Sequence, residues 1–178
     1  MTYSTWHVND LNEARPGVGP VGVTTAGPFL SGNATLHHLG FVVASIAAVA
    51  QDFALFMSAR WDAQIIHDPI QQVRVSFLSP DDARNPVFEV VEPASDTSPV
   101  SNFLKKNRGG LHHVCYEVDD LESALLEAKR VGLVIASAPA PAVAFGGCRI
   151  AWVCSKSRLL IELLERRSKL ADHQTVGS

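Results

Sequence analysis

Two pairs of neighbouring histidines and two glutamates are the residues of this 178-residue chain best suited to chemistry. The pair at 37–38 recurs at 112–113, 75 positions later, and Glu89 recurs as Glu162, 73 positions later. Imidazole nitrogens and carboxylate oxygens together suit the divalent ions Zn, Co, Ni, Mn and Fe(II). If the fold brings both copies to one cleft, the sequence predicts a centre for one divalent metal, with one His and one Glu from each copy.

Spacing does not decide which histidine of each pair faces the cleft. Successive side chains of a strand point to opposite faces, so the inward pair is either His38 with His113 or His37 with His112. A metal-free polar cluster that lines a binding cleft is the alternative to a metal centre. The two glutamates in apolar strands favour the metal, because burying an unpaired carboxylate costs several kcal/mol.

The segments around these residues repeat as well. LHHLGFVV at 36–43 matches LHHVCYEV at 111–118, and both patterns predict strands. Apolar residues at helical spacing follow each copy, and each half ends in a strand that carries its Glu. The further elements predicted are helices at 45–59 and 120–130 and strands at 62–67, 73–78, 88–92, 134–136, 149–154 and 161–165. Each half is therefore predicted to be a β-α-β-β-β unit, and two such units related by a pseudo-two-fold axis bring equivalent residues together.

The repeat predicts one folded domain at 34–166, with modules at about 35–93 and 111–165. A short linking helix is predicted at 98–108, because a Ser-Pro pair opens this segment and a Gly-Gly pair follows it.

Composition and the chain ends exclude several classes of protein. Residues 1–33 are rich in Gly and Pro and are predicted to be a flexible leader, and 167–178 a polar tail. The formal charge of −3 is too weak to indicate a nucleic-acid partner. No apolar run approaches the roughly 20 residues of a membrane span, and no signal peptide is apparent, so we expect a cytoplasmic protein without a membrane partner. The three cysteines are irregularly spaced and are expected to be free thiols.

The most specific motifs are LHHLGFVV, SPVSNFLKKNRGGLHHVCYEVDDLESALLEAKRVG and LLIELLE. Together they resemble the methylmalonyl-CoA epimerase family of the vicinal-oxygen-chelate superfamily, which also contains glyoxalase I, extradiol dioxygenases and bleomycin resistance proteins. The resemblance implies an α+β fold in which two βαβββ modules with pseudo-two-fold symmetry form a curled mixed sheet around a metal cleft. It also implies that the second His of each pair is a ligand, which gives the metal ligands His38, Glu89, His113 and Glu162.

The same resemblance implies a small-molecule substrate, an acyl-CoA thioester whose α-proton leaves to form an enolate. Metal ions assist such a step by stabilising negative charge where it develops. Glu162 is then a catalytic base as well as a ligand. A homodimer is also implied.

The chain departs from this family at the second base. The family's Pro-Glu-x-Gly-Val stretch is replaced by PIQQV at 69–73, so Ile70 stands where the family has Glu. His67 or Asp68 is the candidate replacement. A family loop of Gly-Ala-His-Gly-Lys is replaced by the more apolar AFGGC at 144–148, and a Lys-Ser turn that could meet a CoA phosphate is kept. The candidate substrate contacts are Gln71, Cys115, Phe145 and Lys156.

Loss of one base favours one-base chemistry over an efficient two-base epimerase. The leading hypothesis is a metal-dependent lyase or isomerase that acts on a small carbonyl compound or an acyl-CoA thioester through an enolate. Two alternatives stay open. One is a glyoxalase I-like isomerase, which uses the same set of two His and two Glu, and the other is a metal-free protein that binds a small molecule, as resistance members of the superfamily do.

Overall fold

The computed structural model describes residue 30 and residues 34–167, so almost all of the predicted leader and tail lies outside the described residues. The first module contains β1 (Thr35–Val42), α1 (Ile46–Phe56), β2 (Ala59–Trp61), β3 (Ile66–Asp68), β4 (Val73–Pro80) and β5 (Val87–Pro93). The linking helix is α2 (Ser101–Asn107). The second module contains β6 (Gly110–Val118), α3 (Leu121–Arg130), β7 (Val134–Pro141), a 3₁₀ turn (Val143–Phe145), β8 (Arg149–Cys154) and β9 (Leu160–Glu165).

The nine strands found within residues 34–167 form one mixed, curled sheet. Its order is β2-β4-β5-β1-β6-β9-β8-β7, with β3 also paired to β4. The first strands of the two modules, β1 and β6, are antiparallel neighbours at the centre, and each has its own module's last strand beside it in parallel. The α+β class and the paired βαβββ modules predicted from the repeat are confirmed.

Several element boundaries differ from the sequence prediction. The linking helix predicted at 98–108 is shorter, the strand predicted at 134–136 extends to Pro141, and two further differences arise at turns. The helix predicted at 45–59 ends at Phe56, and the chain then turns at Ser58, which has a φ of 48°, into the short strand β2. One strand was expected at 62–67, but Ala63 with a φ of 63° separates β2 from β3. Helical spacing does not report such turns, because they depend on where the chain meets β4.

One helix packs on the outer face of each half of the sheet. Ile46 and Ala50 of α1 contact the first half, and Leu121 and Leu125 of α3 contact the second. Ile46 and Leu121 are completely buried, and burial of one such side chain stabilises the fold by about 2 kcal/mol. The helices thus cover one face and leave the other face of the central strands for the ligand residues. Within the described part of the chain, no helix is long and apolar enough to cross a membrane.

Candidate metal centre

Strand register places the first pair of predicted ligands on either side of a glycine. Gly40 of β1 lies opposite His113 of β6 and beside Glu89 of β5. A side chain on Gly40 would collide with the His113 ring, because a Cβ atom there would lie 1.9 Å from its Cε1. The glycine therefore leaves the space in which the imidazole of His113 and the carboxylate of Glu89 meet.

The second pair of ligands forms an equivalent row on the same face. His38 of β1 lies opposite Cys115 of β6, and Cys115 lies beside Glu162 of β9. His38 is two residues before Gly40, so the two rows are neighbours on one face of the sheet. Cys115 is the repeat equivalent of Gly40, and its buried Sγ lies within 4.8 Å of a ring nitrogen of His38.

The four ligand atoms converge on one point. The Nε2 atoms of His38 and His113 are 3.0 Å apart. Glu89 Oε2 lies 3.4 and 3.3 Å from these two nitrogens, and Glu162 Oε2 lies 3.1 and 3.4 Å from them. All four residues are at most 5% exposed. The structure thus brings together the predicted set, all of whose ligand atoms lie within 4.8 Å of one another.

The donor set fits a divalent transition metal. Glu162 Oε2 is fully buried and has no well-aligned hydrogen-bond donor among the described residues. Both imidazoles direct Nε2 at the same carboxylate oxygens, and these two nitrogens are only 3.0 Å apart. Two imidazole nitrogens and two carboxylates are a ligand set that Zn, Co, Ni, Mn and Fe(II) accept. A cation at this point would satisfy the oxygen that the protein leaves without a hydrogen bond.

In the metal-free cluster, the pKa values of all four candidate ligands are shifted in the direction that favours their charged forms. Burial alone would lower the pKa of His38, but the carboxylates of Glu89 and Glu162 overcome it and raise that pKa to about 10. The pKa of His113 is raised by the same carboxylates against the same effect of burial. Burial would raise the pKa of Glu89 and of Glu162, but the two imidazoles hold the pKa of Glu89 well below its ordinary range and lower that of Glu162 as well. Without metal, the cluster is therefore a buried set of imidazolium–carboxylate ion pairs.

This charge distribution predicts a pH optimum for the stability of the metal-free protein. A raised histidine pKa contributes full stability below its unfolded value of 6.5 and loses it as the pH rises towards 10. The lowered glutamate pKa values contribute above 4.5 and are lost as the pH falls. We expect thermal unfolding of the chelator-treated protein to give its highest Tm at about pH 5–6 and a falling Tm towards pH 9. A Tm that rises from pH 6 to pH 9 would contradict this distribution of charge.

Aromatic rings pack against the imidazoles of both candidate ligand histidines. Phe145 stacks on His38 at 5.7 Å between ring centroids, and Phe77 meets the same ring edge-on at 6.1 Å. Trp152 meets His113 edge-on at 4.8 Å. Sequence reasoning missed Phe77 and Trp152, although they are 75 positions apart, the same spacing that relates the histidines. An aromatic residue at both copies of one position was the signal that could have found them.

The cluster of four candidate ligands opens onto a mostly apolar cavity of about 320 Å³. Glu89, His113 and Glu162 contribute to its wall, and Asp68, Gln71, His112 and Ser137 are its other polar residues. The apolar wall consists of Val73, Val75, Val91, Pro99, Val100, Ala136, Ala142, Ala144, Phe145, Ile150, Trp152 and Leu160. Such a cavity accepts a small organic group next to the ligand atoms.

The candidate second base, Asp68, lies in the cavity wall, but its two carboxylate oxygens already accept hydrogen bonds from backbone N–H groups of both modules. Its Oδ1 accepts hydrogen bonds from the backbone N–H groups of Ile70 and Gln71, both at 2.9 Å. Its Oδ2 accepts one at 2.7 Å from the N–H of Val143. Asp68 and Val143 are repeat equivalents, so this contact lies on the pseudo-two-fold axis and joins the two loops over the cavity.

Asp68→Asn is expected to destabilise the protein by about 3 kcal/mol, because an amide N–H₂ would face a backbone N–H that has lost its charged acceptor. For a chain of this size, the Tm should fall by roughly 6–12 °C. Asp62→Asn is the matched control, since the exposed Asp62 accepts one local N–H, from Gln64. We expect the free energy of unfolding of the control to stay within about 0.5 kcal/mol of the parent. An equal loss of stability in both variants would show that the contact of Asp68 with Val143 does not stabilise the pairing of the modules.

Only some of the remaining predicted site residues lie in the cavity wall. Gln71 lines the cavity, and its Nε2 donates to the backbone oxygen of Pro141 at 3.3 Å. His67 is exposed on β3 and Lys156 is exposed in the turn before β9, and neither belongs to the cavity wall. Ile70, which the family resemblance led us to expect at the position of a base, is 52% exposed and is also outside the wall.

The first histidine of each pair lies next to the site. We expected strand alternation to turn His37 and His112 away from the ligand face. Each of them is instead an unpaired residue at an irregularity of the β1–β6 ladder, where the register skips one position. Their Nδ1 atoms lie 2.8 and 3.1 Å from the Nδ1 atoms of His38 and His113. A bulge in each strand therefore overrides the period of two.

These two histidines are uncharged at neutral pH. Burial and the charge of His38 lower the pKa of His37. Burial and the charge of His113 lower the pKa of His112 to about 4. Neutral imidazoles beside the ligand histidines can accept a hydrogen bond as well as donate one.

Fold and site together define the class of protein. Residues 37–152 match the sequence model of the Glyoxalase/Bleomycin resistance protein/Dioxygenase superfamily, and the chain belongs to this superfamily.

Within that class, the chain is similar to methylmalonyl-CoA epimerases. It is 39% identical over 87 residues to the mitochondrial methylmalonyl-CoA epimerase of Dictyostelium discoideum, which is 46% of this chain and 51% of that protein. It is 30% identical over 113 residues to the ethylmalonyl-CoA/methylmalonyl-CoA epimerase of Cereibacter sphaeroides, which is 63% of this chain and 81% of that protein. The chain thus spans about half the length of the mitochondrial relative.

A solved structure of a methylmalonyl-CoA epimerase has a similar fold. The methylmalonyl-CoA epimerase of Mycobacterium tuberculosis superposes with a TM-score of 0.60 and 25% identity. The superposition covers 76% of this chain and 90% of that one.

Proposed function

We propose that this protein is a divalent-metal-dependent epimerase or isomerase that moves the α-proton of an alkylmalonyl-type acyl-CoA thioester. The observation that carries the proposal is the set of four buried imidazole and carboxylate groups beside an otherwise mostly apolar cavity. The similarity to epimerases of methylmalonyl-CoA and ethylmalonyl-CoA supports a substrate of this class.

The charge of the cavity supports metal dependence. Asp68, Glu89 and Glu162 lie in its wall, and the described lining residues include neither Lys nor Arg. A malonyl-type substrate adds another carboxylate, and without metal the two imidazolium groups only balance Glu89 and Glu162, so Asp68 leaves the site net negative. His38, Glu89, His113 and Glu162 would hold a divalent ion, which supplies Lewis-acid stabilisation of negative charge on a substrate oxygen.

Glu162 is the residue best placed to accept the α-proton. It lies in the cavity wall, and a carboxylate that gives one oxygen to a metal keeps its other oxygen to accept a proton. Asp68 differs, because its two oxygens already accept three backbone N–H groups.

Among the described residues of the cavity wall, we find no counterpart of the second base that the family resemblance led us to expect. Ile70 replaces the family Glu, and Gln71 in the cavity wall does not ionise. We therefore propose one-base chemistry, in which exchange of the α-hydrogen with solvent is faster than inversion of the centre.

The first experiment combines metal content with a proton-exchange assay. Protein purified without chelator is expected to contain about one transition-metal ion per chain by mass spectrometry. With methylmalonyl-CoA in D₂O, NMR should show incorporation of deuterium at the α-carbon at a rate that depends on the metal. The Glu89→Gln/Glu162→Gln double variant, compared as folded protein, should lose both signals.

Two results would overturn the proposal. The first is failure to bind Zn, Co, Ni, Mn or Fe(II) after reconstitution, which would favour a metal-free binding protein. The second is a metal-loaded protein that isomerises the hemithioacetal of glutathione and leaves acyl-CoA thioesters unchanged, which would favour glyoxalase I-like chemistry.

A further inference from the structure

We propose that His37 and His112 are positioning residues for the metal centre: each accepts a hydrogen bond from Nδ1 of the ligand histidine next to it and so holds that ligand with Nε2 facing the metal. The inference rests on the proposed metal centre and adds two residues to it, one from each module.

The backbone provides the first argument. In the β1–β6 ladder, Leu36 pairs with Tyr116 and His38 with Cys115, so His37 has no partner. On the other strand, His113 pairs with Gly40 and Leu111 with Phe41, so His112 has no partner either.

A bulge removes ladder pairing and turns a side chain out of the alternating pattern, and bulges are concentrated where side chains are re-aimed at functional sites. Here two bulges occupy repeat-equivalent positions. Both have the same result, which is a second imidazole against a ligand imidazole.

The position of the hydrogens provides the second argument. A histidine that binds a metal through Nε2 is neutral and carries its hydrogen on Nδ1. The Nδ1 atoms of His38 and His37 are 2.8 Å apart, and those of His113 and His112 are 3.1 Å apart. Each pair of nitrogens shares one hydrogen, so the ligand donates and its neighbour accepts. A second group that accepts the far N–H of a ligand histidine fixes both its tautomer and its ring orientation.

Each accepting imidazole is itself held in place. The ring of His37 meets Phe145 edge-on at 5.6 Å, and the ring of His112 meets Phe103 edge-on at 4.8 Å. An acceptor that cannot turn away restricts the ligand ring more strongly than water would, because water can leave or reorient.

The test compares substitutions that keep or remove the acceptor. His37→Phe and His112→Phe keep the size of the ring but have no acceptor, whereas His37→Asn and His112→Asn offer a carbonyl oxygen near the original Nδ1 position. His67→Phe is the matched control, since His67 is exposed and lies outside the cavity wall. Far-ultraviolet circular dichroism of the metal-free proteins establishes which variants are folded.

The readout is Co(II) and Zn(II) affinity, measured by competition with a chromophoric chelator, together with the visible absorption of the Co(II) protein. We expect each Phe variant to bind metal about 10–100-fold more weakly, as is typical when an outer hydrogen-bond partner is lost. The Co(II) spectrum should change, and the Asn variants should recover most of the affinity.

The outcomes distinguish this inference from the proposed function. Parental protein that binds no metal refutes the proposed centre itself. Parental protein that binds Co(II) while both Phe variants bind it equally well, with an unchanged spectrum, refutes the positioning role alone. If one Phe variant does not fold, the equivalent variant in the other module and the two Asn variants still decide the question.

Discussion

Glu162→Gln is expected to abolish tight metal binding and α-proton exchange together. The substitution keeps the size of the side chain but replaces a charged ligand, and a potential base, with a neutral amide. Loss of a direct ligand should exceed the 10–100-fold effect of an outer partner, so we expect metal affinity to fall by more than about 100-fold. Loss of the base alone would reduce turnover by about 10²–10⁴-fold.

The matched control for this prediction is Glu165→Gln on the same strand. Glu165 pairs with Arg149 on the surface side and is not part of the cavity wall. We expect metal content and α-proton exchange of the control to equal those of the parent. Full exchange activity in Glu162→Gln, with one metal ion per chain, would show that another group takes the proton.

Gly40→Ala is expected to disrupt the metal centre although Gly40 carries no ligand atom. The new Cβ would lie 1.9 Å from Cε1 of His113, far inside any real contact distance. Strand β1 is hydrogen-bonded to β5 on one side and β6 on the other, so its backbone is held in place. The His113 ring therefore has to rotate away from the other three ligands.

We expect Co(II) affinity of Gly40→Ala to fall by more than about 100-fold, which is again more than the loss of an outer partner. The metal-free protein should lose about 1–3 kcal/mol of stability, as is usual for overpacking. Leu39→Ala is the control, because Leu39 packs against the core beneath α1, on the face of the sheet opposite the ligands. The control should lower the Tm and leave metal affinity intact. Unchanged Co(II) binding by Gly40→Ala would mean that His113 is not a ligand.

The repeat made the architecture predictable. The 75-residue spacing that relates the two His-His pairs also relates the strands, the helices and the two closing glutamates to within two positions. Symmetry then requires equivalent residues to meet near one axis, and His38, His113, Glu89 and Glu162 do meet. The choice of the second His in each pair came from the family resemblance, since spacing left both pairs possible.

The role of Gly40 was not predictable from its own segment. In the sequence it is one small residue in an apolar strand. Its importance comes from the register between β1 and β6, which sets the His113 ring over it. Register is a property of two paired strands far apart in the chain, and only the folded sheet specifies it.

The sequence by itself determined the α+β class, the two βαβββ modules, and the repeated His-His pairs and glutamates from which the candidate centre is built, because each of these follows from a repeated local pattern. The family resemblance selected the second His of each pair. Only the tertiary structure decided that His37 and His112 stay beside the ligands and that Asp68 joins the modules through Val143. The physical reason is the same in both cases. A period of two assumes an unbroken ladder, whereas a bulge and a contact on the symmetry axis arise from pairing between distant segments.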